Sequence, residues 1–516
     1  MRAPRAAALV WALSLVIVGT FVVTLTRQPV SQKDEPFYAS IARAYHYGPP
    51  GVPSMLDASA PTAVDHIAFY GPIYFRTVDL FFSLFGVSVA AFRAIGLLGV
   101  LLCAAAGVCI CRALGGGPSR QAWTWLLLLL TPEAGAAASS GRMDSMAVGI
   151  EMSGLAILLA GFARQRRPVL YGLGAGTLFA AAALTTPRTF PFLAALVIAG
   201  IVEQWRAAPV PRATRRVGLA AVASGGGILL AWTLIRFGGP AGWVRLMATI
   251  ATHENTDVAL LPAAAARDLM FTSWQAIPLV FSVAGALAAA YLMRSRDATP
   301  QALAGAFALV ATWTTLVLTI TLFNYTFIFG VYFVMPLTAV VIALPTPLSA
   351  LHRRAAAGLA LLLCLLFGGV RAAKIVRAAI TWDARDPSKL ARFVADHVPP
   401  GSRVLGPGPD LFLPVERAGS RYYSVPQLSF ADWSRWSHPE AQGKAVALPA
   451  ADFLIWRTRD GDPPRDVACF GLGPVATYHP PPVTLPRLAW ILAADPFAGY
   501  PETTLYALGH RGGCGL

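Results

Sequence analysis

Long apolar runs recur along the first 371 residues of the chain, separated by connections that are often short and basic. Each run is about 20 residues long, which is the length a helix needs to cross the hydrocarbon core of a bilayer. The pattern therefore predicts about eleven membrane-spanning helices. The predicted spans are residues 8–26, 88–111, 121–138, 143–163, 169–184, 189–204, 217–236, 275–293, 301–321, 326–345 and 356–371.

The sequence after residue 371 follows a different pattern, with mixed polar and apolar positions and frequent turn residues. A helix is predicted to begin at Asp386, because Pro387 suits a first helical turn, and to stop before Pro399-Pro400-Gly401. Short runs with strand character follow at residues 402–405, 421–425 and 452–456. Residues 372–516 are therefore predicted to form a small α/β domain that follows a membrane domain of residues 1–371.

Composition supports a membrane protein and excludes a soluble globular enzyme. Hydrophobic residues make up 56% of the chain and charged residues 13%, with a mean hydropathy of +0.58. A soluble domain carries roughly 25% charged residues. The net charge of +15 does not indicate nucleic-acid binding, because the basic residues are scattered between the apolar runs.

The distribution of Lys and Arg predicts the orientation in the membrane. With a cytoplasmic N-terminus, the inside connections hold roughly twice as many basic residues as the longer outside connections, as the positive-inside rule requires. The first apolar run lacks a small-x-small cleavage site and is expected to remain as an uncleaved helix. An odd number of spans then places residues 27–87, a long first loop, and residues 372–516 on the extracytoplasmic side.

Two cysteines, Cys469 and Cys514, lie in this predicted extracytoplasmic tail. Because that side is an oxidising compartment in bacteria, a disulfide between them is favoured. The other four cysteines fall in apolar spans and are expected to be small buried hydrophobic residues.

Two adjacent carboxylates, Asp34 and Glu35, follow the first predicted span. Asp34 could simply cap a helix that has Pro36 in its first turn and an apolar stripe through Tyr38 and Ile41. Capping does not explain a second carboxylate beside the first, close to the membrane plane, where acidic residues are costly. The pair is therefore a candidate for chemistry.

The acidic pair is the first of an ordered set of motifs. The motifs are Asp34-Glu35-x-x-Tyr38, Pro72-Ile73-Tyr74-Phe75 running to Leu84-Phe85-Gly86-Val87 and Arg93, Gly141-Arg142-Met143-Asp144, Leu184-Thr185-Thr186-Pro187-Arg188 and Tyr332-Phe333-Val334-Met335-Pro336. In this order they resemble the GT-C glycosyltransferases, and within that class they are most similar to the branch of the protein O-mannosyltransferases and the bacterial lipid A aminoarabinose transferases. The resemblance covers most of the chain.

The chain departs from the family pattern at two places. The family's His-Pro-Pro is Tyr70-Gly71-Pro72 here, so no histidine role transfers to position 70. The lysine of the family's Leu-Thr-Lys-Gly falls nearest Thr186, and Arg188 is the nearby cation.

The resemblance implies a polytopic α-helical membrane protein that moves a sugar from a polyprenyl-phosphate carrier to a lipid, glycan or protein acceptor, with inversion. It implies multi-pass insertion in the bacterial cytoplasmic (inner) membrane and chemistry on the extracytoplasmic face. Asp34 would be the catalytic base, Glu35 would orient it or the acceptor, and Asp144 would hold the sugar or a basic partner. The residues expected to contact substrate are Tyr38, Tyr74, Arg142, Arg188 and Tyr332.

Several alternatives remain open at this point. Arg142 and Asp144 could instead form an outer-face ion pair or a helix cap. No cofactor is assigned, although a divalent metal could be held by Asp34, Glu35 or Asp257. Two other functions compete with the glycosyltransferase. A transporter or flippase of lipid-linked sugars would use charges inside the membrane, of which Glu151 is the clearest. A noncatalytic envelope assembly factor would need no acidic pair.

Overall fold

The computed structural model describes most of the helices and the core of the C-terminal domain. It describes residues 3–27, 34–46, 71–206, 211–245, 299–321, 335–340, 368–369, 371–373, 375–406, 411–424, 451–458, 472–482 and 499–509. The chain forms two compact units. The first comprises Met1–Phe21, Gly96–Ala138 and Met143–Gly369, and the second comprises Val22–Ile95, Ser139–Arg142 and Val370–Leu516.

Helices account for the described part of the first unit, and they follow the predicted spans closely. Among the described residues, three helices are long and apolar enough to cross a membrane, namely α4, α7 and α10, and α8 and most of α1 are shorter apolar helices. The helices that lie wholly or partly in this unit are α1 (Ala3–Thr24), α4 (Val89–Ala113), α5 (Pro118–Leu130), α6 (Pro132–Ala138), α7 (Met143–Arg164), α8 (Pro168–Ala183), α9 (Phe190–Arg206), α10 (Arg212–Phe237) and α11 (Pro300–Thr321).

The predicted span 121–138 is wrong as a single helix, because the chain breaks at Thr131 into α5 and α6. Pro132 has no amide hydrogen and disfavours helical geometry in the residue before it. Thr131 accordingly has φ −56° and ψ 143°. Its hydroxyl oxygen accepts a 3.2 Å hydrogen bond from the Ala134 amide and so caps α6. The predicted span 275–293 and most of 326–345 and 356–371 lie outside the described residues.

Helices α4 and α7 approach each other closely in the first unit. A Cβ added at Gly99 of α4 would lie 2.6 Å from the Met146 amide nitrogen and from the Ser145 carbonyl carbon. Only a glycine permits this backbone contact, which is typical of helix packing in membranes. The contact fixes the first turn of α7, where Asp144 lies.

The described part of the second unit contains a five-stranded sheet with the strand order β2-β1-β3-β5-β4. Strand β1 pairs in parallel with β2 and β3, whereas β5 pairs antiparallel with β3 and β4. A core of Leu405, Leu454, Trp456 and Leu508 lies on the sheet. The strands are β1 (Arg403–Gly406), β2 (Arg421–Ser424), β3 (Phe453–Arg457), β4 (Leu472–Tyr478) and β5 (Thr503–Leu508).

The predicted C-terminal helix and three strands are confirmed, and β4 and β5 are additional. Helices α2 (Asp34–His46), α3 (Pro72–Phe85), α12 (Pro387–His397) and α13 (Phe412–Arg417) lie in the described part of this unit. The Asp386 side chain caps α12 by accepting a 2.9 Å hydrogen bond from the Ser388 amide. Cys469 and Cys514 lie outside the described residues.

Each compact unit is built from three segments that are separated in the sequence. Residues 22–95, which include the whole predicted first loop of residues 27–87, group with residues 370–516. The unit boundary after Gly369 lies close to the predicted boundary at residue 371. The acidic pair and the C-terminal sheet therefore belong to the same compact unit.

Candidate functional site

Glu35 lies in the first turn of α2 and is held by a fork of hydrogen bonds from Arg93. The Arg93 Nε donates to Oε1 at 3.0 Å, and Nη2 donates to Oε2 at 2.8 Å. The two residues are 58 positions apart in the chain, and their side chains are 2% and 0% exposed. A buried bidentate pair of this kind is directional and strongly held.

Arg93 and Glu35 each bind a second part of the backbone in the same unit. The Arg93 Nη1 donates to the Leu25 carbonyl oxygen at 3.0 Å. The Glu35 Oε1 also accepts a 3.0 Å hydrogen bond from the Gly141 amide, 106 residues away in the chain. The pair therefore joins α2 to the residues after α1, to the start of α4 and to the segment before α7.

Gly141 is enclosed by the side chains of the other motifs. The Tyr74 hydroxyl donates to the Gly141 carbonyl oxygen. A Cβ at position 141 would collide with the ring of Phe92, so only glycine fits there. The glycine of Gly141-Arg142-Met143-Asp144 is thus explained by a close contact with the residue before Arg93.

Aromatic rings complete this cluster. Tyr38 of α2 packs edge-on against Tyr74 of α3, with ring centroids 6.4 Å apart. The Arg142 guanidinium carbon lies 5.9 Å from the centroid of the Tyr38 ring, within the range of a cation–π contact. We call Glu35, Tyr38, Tyr74, Arg93, Gly141 and Arg142 the acidic-helix cluster.

A second ion pair, between Asp144 and Arg188, lies in the first unit. Asp144 is in the first turn of α7, where a negative charge is favoured by the helix dipole. Arg188 is in a single 3₁₀ turn, Pro187–Thr189, whose Thr186 hydroxyl accepts from the Arg188 amide. The Arg188 Nη1 lies 3.4 Å from the Asp144 Oδ1, and the side chains are 13% and 9% exposed.

The predicted site residues are thus distributed over two groups. Glu35, Tyr38, Tyr74 and Arg142 belong to the acidic-helix cluster, whereas Asp144 and Arg188 pair with each other. Asp34 is the first residue of α2. The Asp34 side chain, Tyr332 and Asp257 lie outside the described part of the chain.

Arg93 is central to the cluster, although the sequence motifs predicted no role for it. The sequence did contain an indication of its importance, because Arg93 is a lone basic residue near the start of an apolar span, where a charge is costly unless it is paired. The Gly141 amide gives no sequence signal of this kind. Among the described residues, no three His, Cys, Asp or Glu side chains come close enough to hold a metal ion together.

Comparison with known proteins identifies similar folds but no sequence family. No family model matches the chain, and no curated protein matches it. The structure is similar to ArnT from Cupriavidus metallidurans bound to undecaprenyl phosphate, with 14% identity, a TM-score of 0.44 and 97% of each chain covered.

Two further structures are similar over most of this chain. The oligosaccharyltransferase AglB from Archaeoglobus fulgidus, in complex with an inhibitory peptide and a dolichol-phosphate, is 12% identical, with a TM-score of 0.41 over 87% of this chain and 69% of its own. The arabinofuranosyltransferase AftD from Mycobacteria is 17% identical, with a TM-score of 0.49 over 99% of this chain and 40% of its own. All three are GT-C glycosyltransferases, the class that the sequence motifs resemble. At these identities and TM-scores the similarity assigns no role to any side chain.

Proposed function

We propose that the protein is an inverting glycosyltransferase that uses a polyprenyl-phosphate-linked sugar on the extracytoplasmic face of the bacterial cytoplasmic membrane. The observation that carries the proposal is the acidic-helix cluster. Residues from three of the motifs that resemble the GT-C class meet around the first turn of α2, although Glu35 and Gly141 are 106 positions apart in the chain.

The proposed reaction requires a base at this turn. An acceptor hydroxyl oxygen attacks the anomeric carbon, the bond from that carbon to the phosphate oxygen breaks, and the hydroxyl proton goes to a carboxylate. Asp34 is the candidate base, since it begins α2 directly before the fixed Glu35. The leaving group is the lipid phosphate, and attack from the opposite side inverts the anomeric carbon.

Glu35 fits a positioning role better than a proton-accepting role. Both of its carboxylate oxygens accept hydrogen bonds from Arg93, and one also accepts from the Gly141 amide. Proton transfer to such a carboxylate would disrupt the buried ion pair. We therefore assign Glu35 to holding the first turn of α2, and with it the backbone of Asp34.

The growing charge on the leaving phosphate needs a cation. Arg188 and Arg142 are the two candidates, because each is a guanidinium within a motif and each can form a fork of hydrogen bonds to phosphate. Asp144 orients Arg188 through their 3.4 Å contact. Tyr38 does the same for Arg142 through the contact with its ring.

The test is transfer by membrane vesicles that contain the full-length protein. The vesicles receive undecaprenyl phosphate carrying radiolabelled mannose, arabinose or aminoarabinose, and labelled lipids, glycans and proteins are identified by mass. We expect transfer from at least one donor and its loss in Asp34→Asn. The matched control is Asp383→Asn, which removes a carboxylate whose side chain is 73% exposed. No labelled product from any donor would contradict the proposal.

A second candidate function, transport of lipid-linked sugars, rests on Glu151. This residue lies within α7, is 0% exposed, and has no hydrogen-bond partner for either carboxylate oxygen among the described residues. Ionisable groups inside membrane helices often mark a transport path. A transporter would move the labelled lipid across the vesicle membrane with the bond from sugar to phosphate intact, which the same vesicles can report.

A further inference from the structure

The C-terminal domain contacts the far end of α2, away from the acidic pair. Arg43 lies in the last part of this helix, and its Nε is 3.5 Å from the Oε2 of Glu416 in α13. Their side chains are 20% and 7% exposed. The other Glu416 oxygen, Oε1, accepts a 3.0 Å hydrogen bond from the Tyr422 amide, so Glu416 is itself fixed by strand β2.

A second contact holds the chain on the other side of the acidic pair, before α2. The Arg27 Nη1 lies 2.8 Å from the Asp386 Oδ1, with side chains 16% and 14% exposed. The Arg27 guanidinium also lies over the Trp382 ring, 5.0 Å from its centroid. The Arg385 Nη1 donates to the Arg27 carbonyl oxygen at 3.3 Å.

These contacts differ from ordinary surface ion pairs, which contribute little. Each carboxylate has a second, local partner that fixes it, since Asp386 accepts from Ser388 and Glu416 accepts from Tyr422. Between the two contacts, Tyr38 and the next four residues of α2 are buried, so the helix has little room to adjust.

We propose that Asp386 and Glu416 of the C-terminal domain are positioning residues, which hold the segment carrying Asp34 and Glu35 through Arg27 and Arg43. Arg27 precedes the acidic pair in the chain and Arg43 follows it, so the two ion pairs flank the first turn of α2. This inference rests on the proposed glycosyltransferase function. It makes the C-terminal domain a part of the catalytic apparatus, acting at a distance on the candidate base.

Two conservative variants of the full-length protein test the inference. Glu416→Gln keeps an oxygen that can accept from the Tyr422 amide but removes the charge that meets Arg43. Asp386→Asn likewise keeps an acceptor for Ser388. The matched controls are Arg417→Gln, an exposed neighbour on α13, and Asp383→Asn, an exposed carboxylate before α12.

The kinetic measurement uses whichever labelled undecaprenyl-phosphate sugar the wild type transfers. We expect each variant to lower kcat by about 10-fold, because small displacements of a catalytic group are costly, and to leave the donor KM within about twofold. Arg43→Gln combined with Glu416→Gln should cost no more than either single change, since both remove one contact. The inference would be overturned if the losses of kcat in the two single variants multiplied in the double variant. It would also be overturned if Glu416→Gln and Asp386→Asn both kept a kcat within about twofold of wild type.

Hydrogen exchange followed by mass spectrometry gives a measurement that needs no donor. In both variants we expect the amides of residues 35–43 to exchange faster than in wild type by about fivefold or more, while the controls match wild type. Unchanged exchange in this segment would also overturn the inference. If the wild type transfers none of the sugars, the proposed function fails, and exchange alone then decides whether the ion pairs hold α2.

Discussion

The two compact units each contain an ion pair between motif residues, and the two pairs are built differently. In the second unit, Glu35 and Arg93 share two hydrogen bonds of 3.0 and 2.8 Å, and their side chains are almost completely buried. In the first unit, Asp144 and Arg188 meet through one 3.4 Å contact, and their side chains keep 9% and 13% exposure.

This difference favours different roles for the two arginines. A buried bidentate pair cannot lose one partner without leaving an uncompensated charge, so Arg93 is suited to hold structure. Arg188 is 13% exposed and meets its carboxylate through a longer contact, so it would exchange that carboxylate for a ligand phosphate at lower cost, as its proposed binding role requires.

The largest expected effect concerns Asp34, the neighbour of the buried Glu35. Asn at position 34 has nearly the same size and can still cap α2, but it cannot accept a proton at neutral pH. We expect kcat to fall by about 10²–10⁴-fold, as is typical for loss of a general base, with normal insertion and thermal stability. Activity within a few-fold of wild type would show that Asp34 is only a helix cap.

One condition limits this prediction. If the acceptor is itself a phosphate that is already ionised at neutral pH, no base is required. Asp34 would then act through position alone, and its replacement would leave the pH dependence of the rate unchanged.

The next effect compares the same substitution in the two ion pairs. Arg93→Met leaves the buried Glu35 carboxylate without its partner and should lower the free energy of unfolding by about 3–5 kcal/mol. Arg188→Met removes a single, longer contact between side chains that are 13% and 9% exposed, and it should cost less stability than Arg93→Met. Thermal unfolding in detergent measures both. Equal losses of stability would remove the contrast between the two pairs.

Sequence patterns predicted much of the fold because membrane helices have a fixed length and marked ends. The predicted span 143–163 corresponds to α7, and 169–184 corresponds to α8, since Arg164 and Pro168 delimit the connection between them. The helix break at Thr131 was missed because residues 121–138 have the length and hydrophobicity of a single span, although Pro132 interrupts the helix. Strand β4 was missed because Gly and Pro in sequence usually indicate a turn. Here Gly473 and Pro474 lie in an edge strand with an irregular register, where both residues are tolerated.

The order of the motifs predicted some residues of the acidic-helix cluster but none of its contacts. The motifs predicted Glu35, Tyr38 and Tyr74 as site residues, and the structure places these three in the acidic-helix cluster. Pairing of Glu35 with Arg93 and with the Gly141 amide depends on tertiary packing over 58 and 106 residues, which no local pattern encodes. Arg142 and Asp144 also have separate partners, Tyr38 and Arg188, although they are near neighbours in the chain.

An intermediate effect is expected for Arg188→Gln, which tests the binding role of the second pair. The charge would meet the donor phosphate in both the ground state and the transition state, so its loss should raise the donor KM and lower kcat together. A hydrogen bond to a charged group contributes about 1.5–3 kcal/mol, which corresponds to about 10–100-fold in kcat/KM. Steady-state kinetics with a labelled undecaprenyl-phosphate sugar measures this, and an unchanged KM would assign phosphate binding to another cation such as Arg142.

A smaller effect concerns the pH dependence of stability at the Arg27–Asp386 contact. Burial alone would raise the pKa of Asp386, but hydrogen bonds from Ser388 and Arg27 lower it below its ordinary value. Its stabilising contribution is therefore present above the unfolded pKa of about 3.9 and is lost as the pH falls through the lower folded pKa. Because Asn keeps an acceptor for Ser388, the stability difference between wild type and Asp386→Asn should be about 1 kcal/mol, the net contribution of one hydrogen bond. This difference should shrink below about pH 4 in thermal unfolding series.

The smallest effect has the opposite sign and concerns the contact between Arg43 of α2 and Glu416 of the C-terminal domain. Burial raises the pKa of Glu416, and the Tyr422 amide and Arg43 offset this only in part. Its contribution is fully present below the unfolded pKa of about 4.3 and is lost as the pH rises through the raised folded pKa. Wild type should therefore lose stability relative to Glu416→Gln as the pH rises from about 4 toward neutrality. The same unfolding series measures this, with Arg417→Gln as the control. A stability difference that grows in favour of wild type over that range would mean that Arg43 outweighs the burial of the carboxylate.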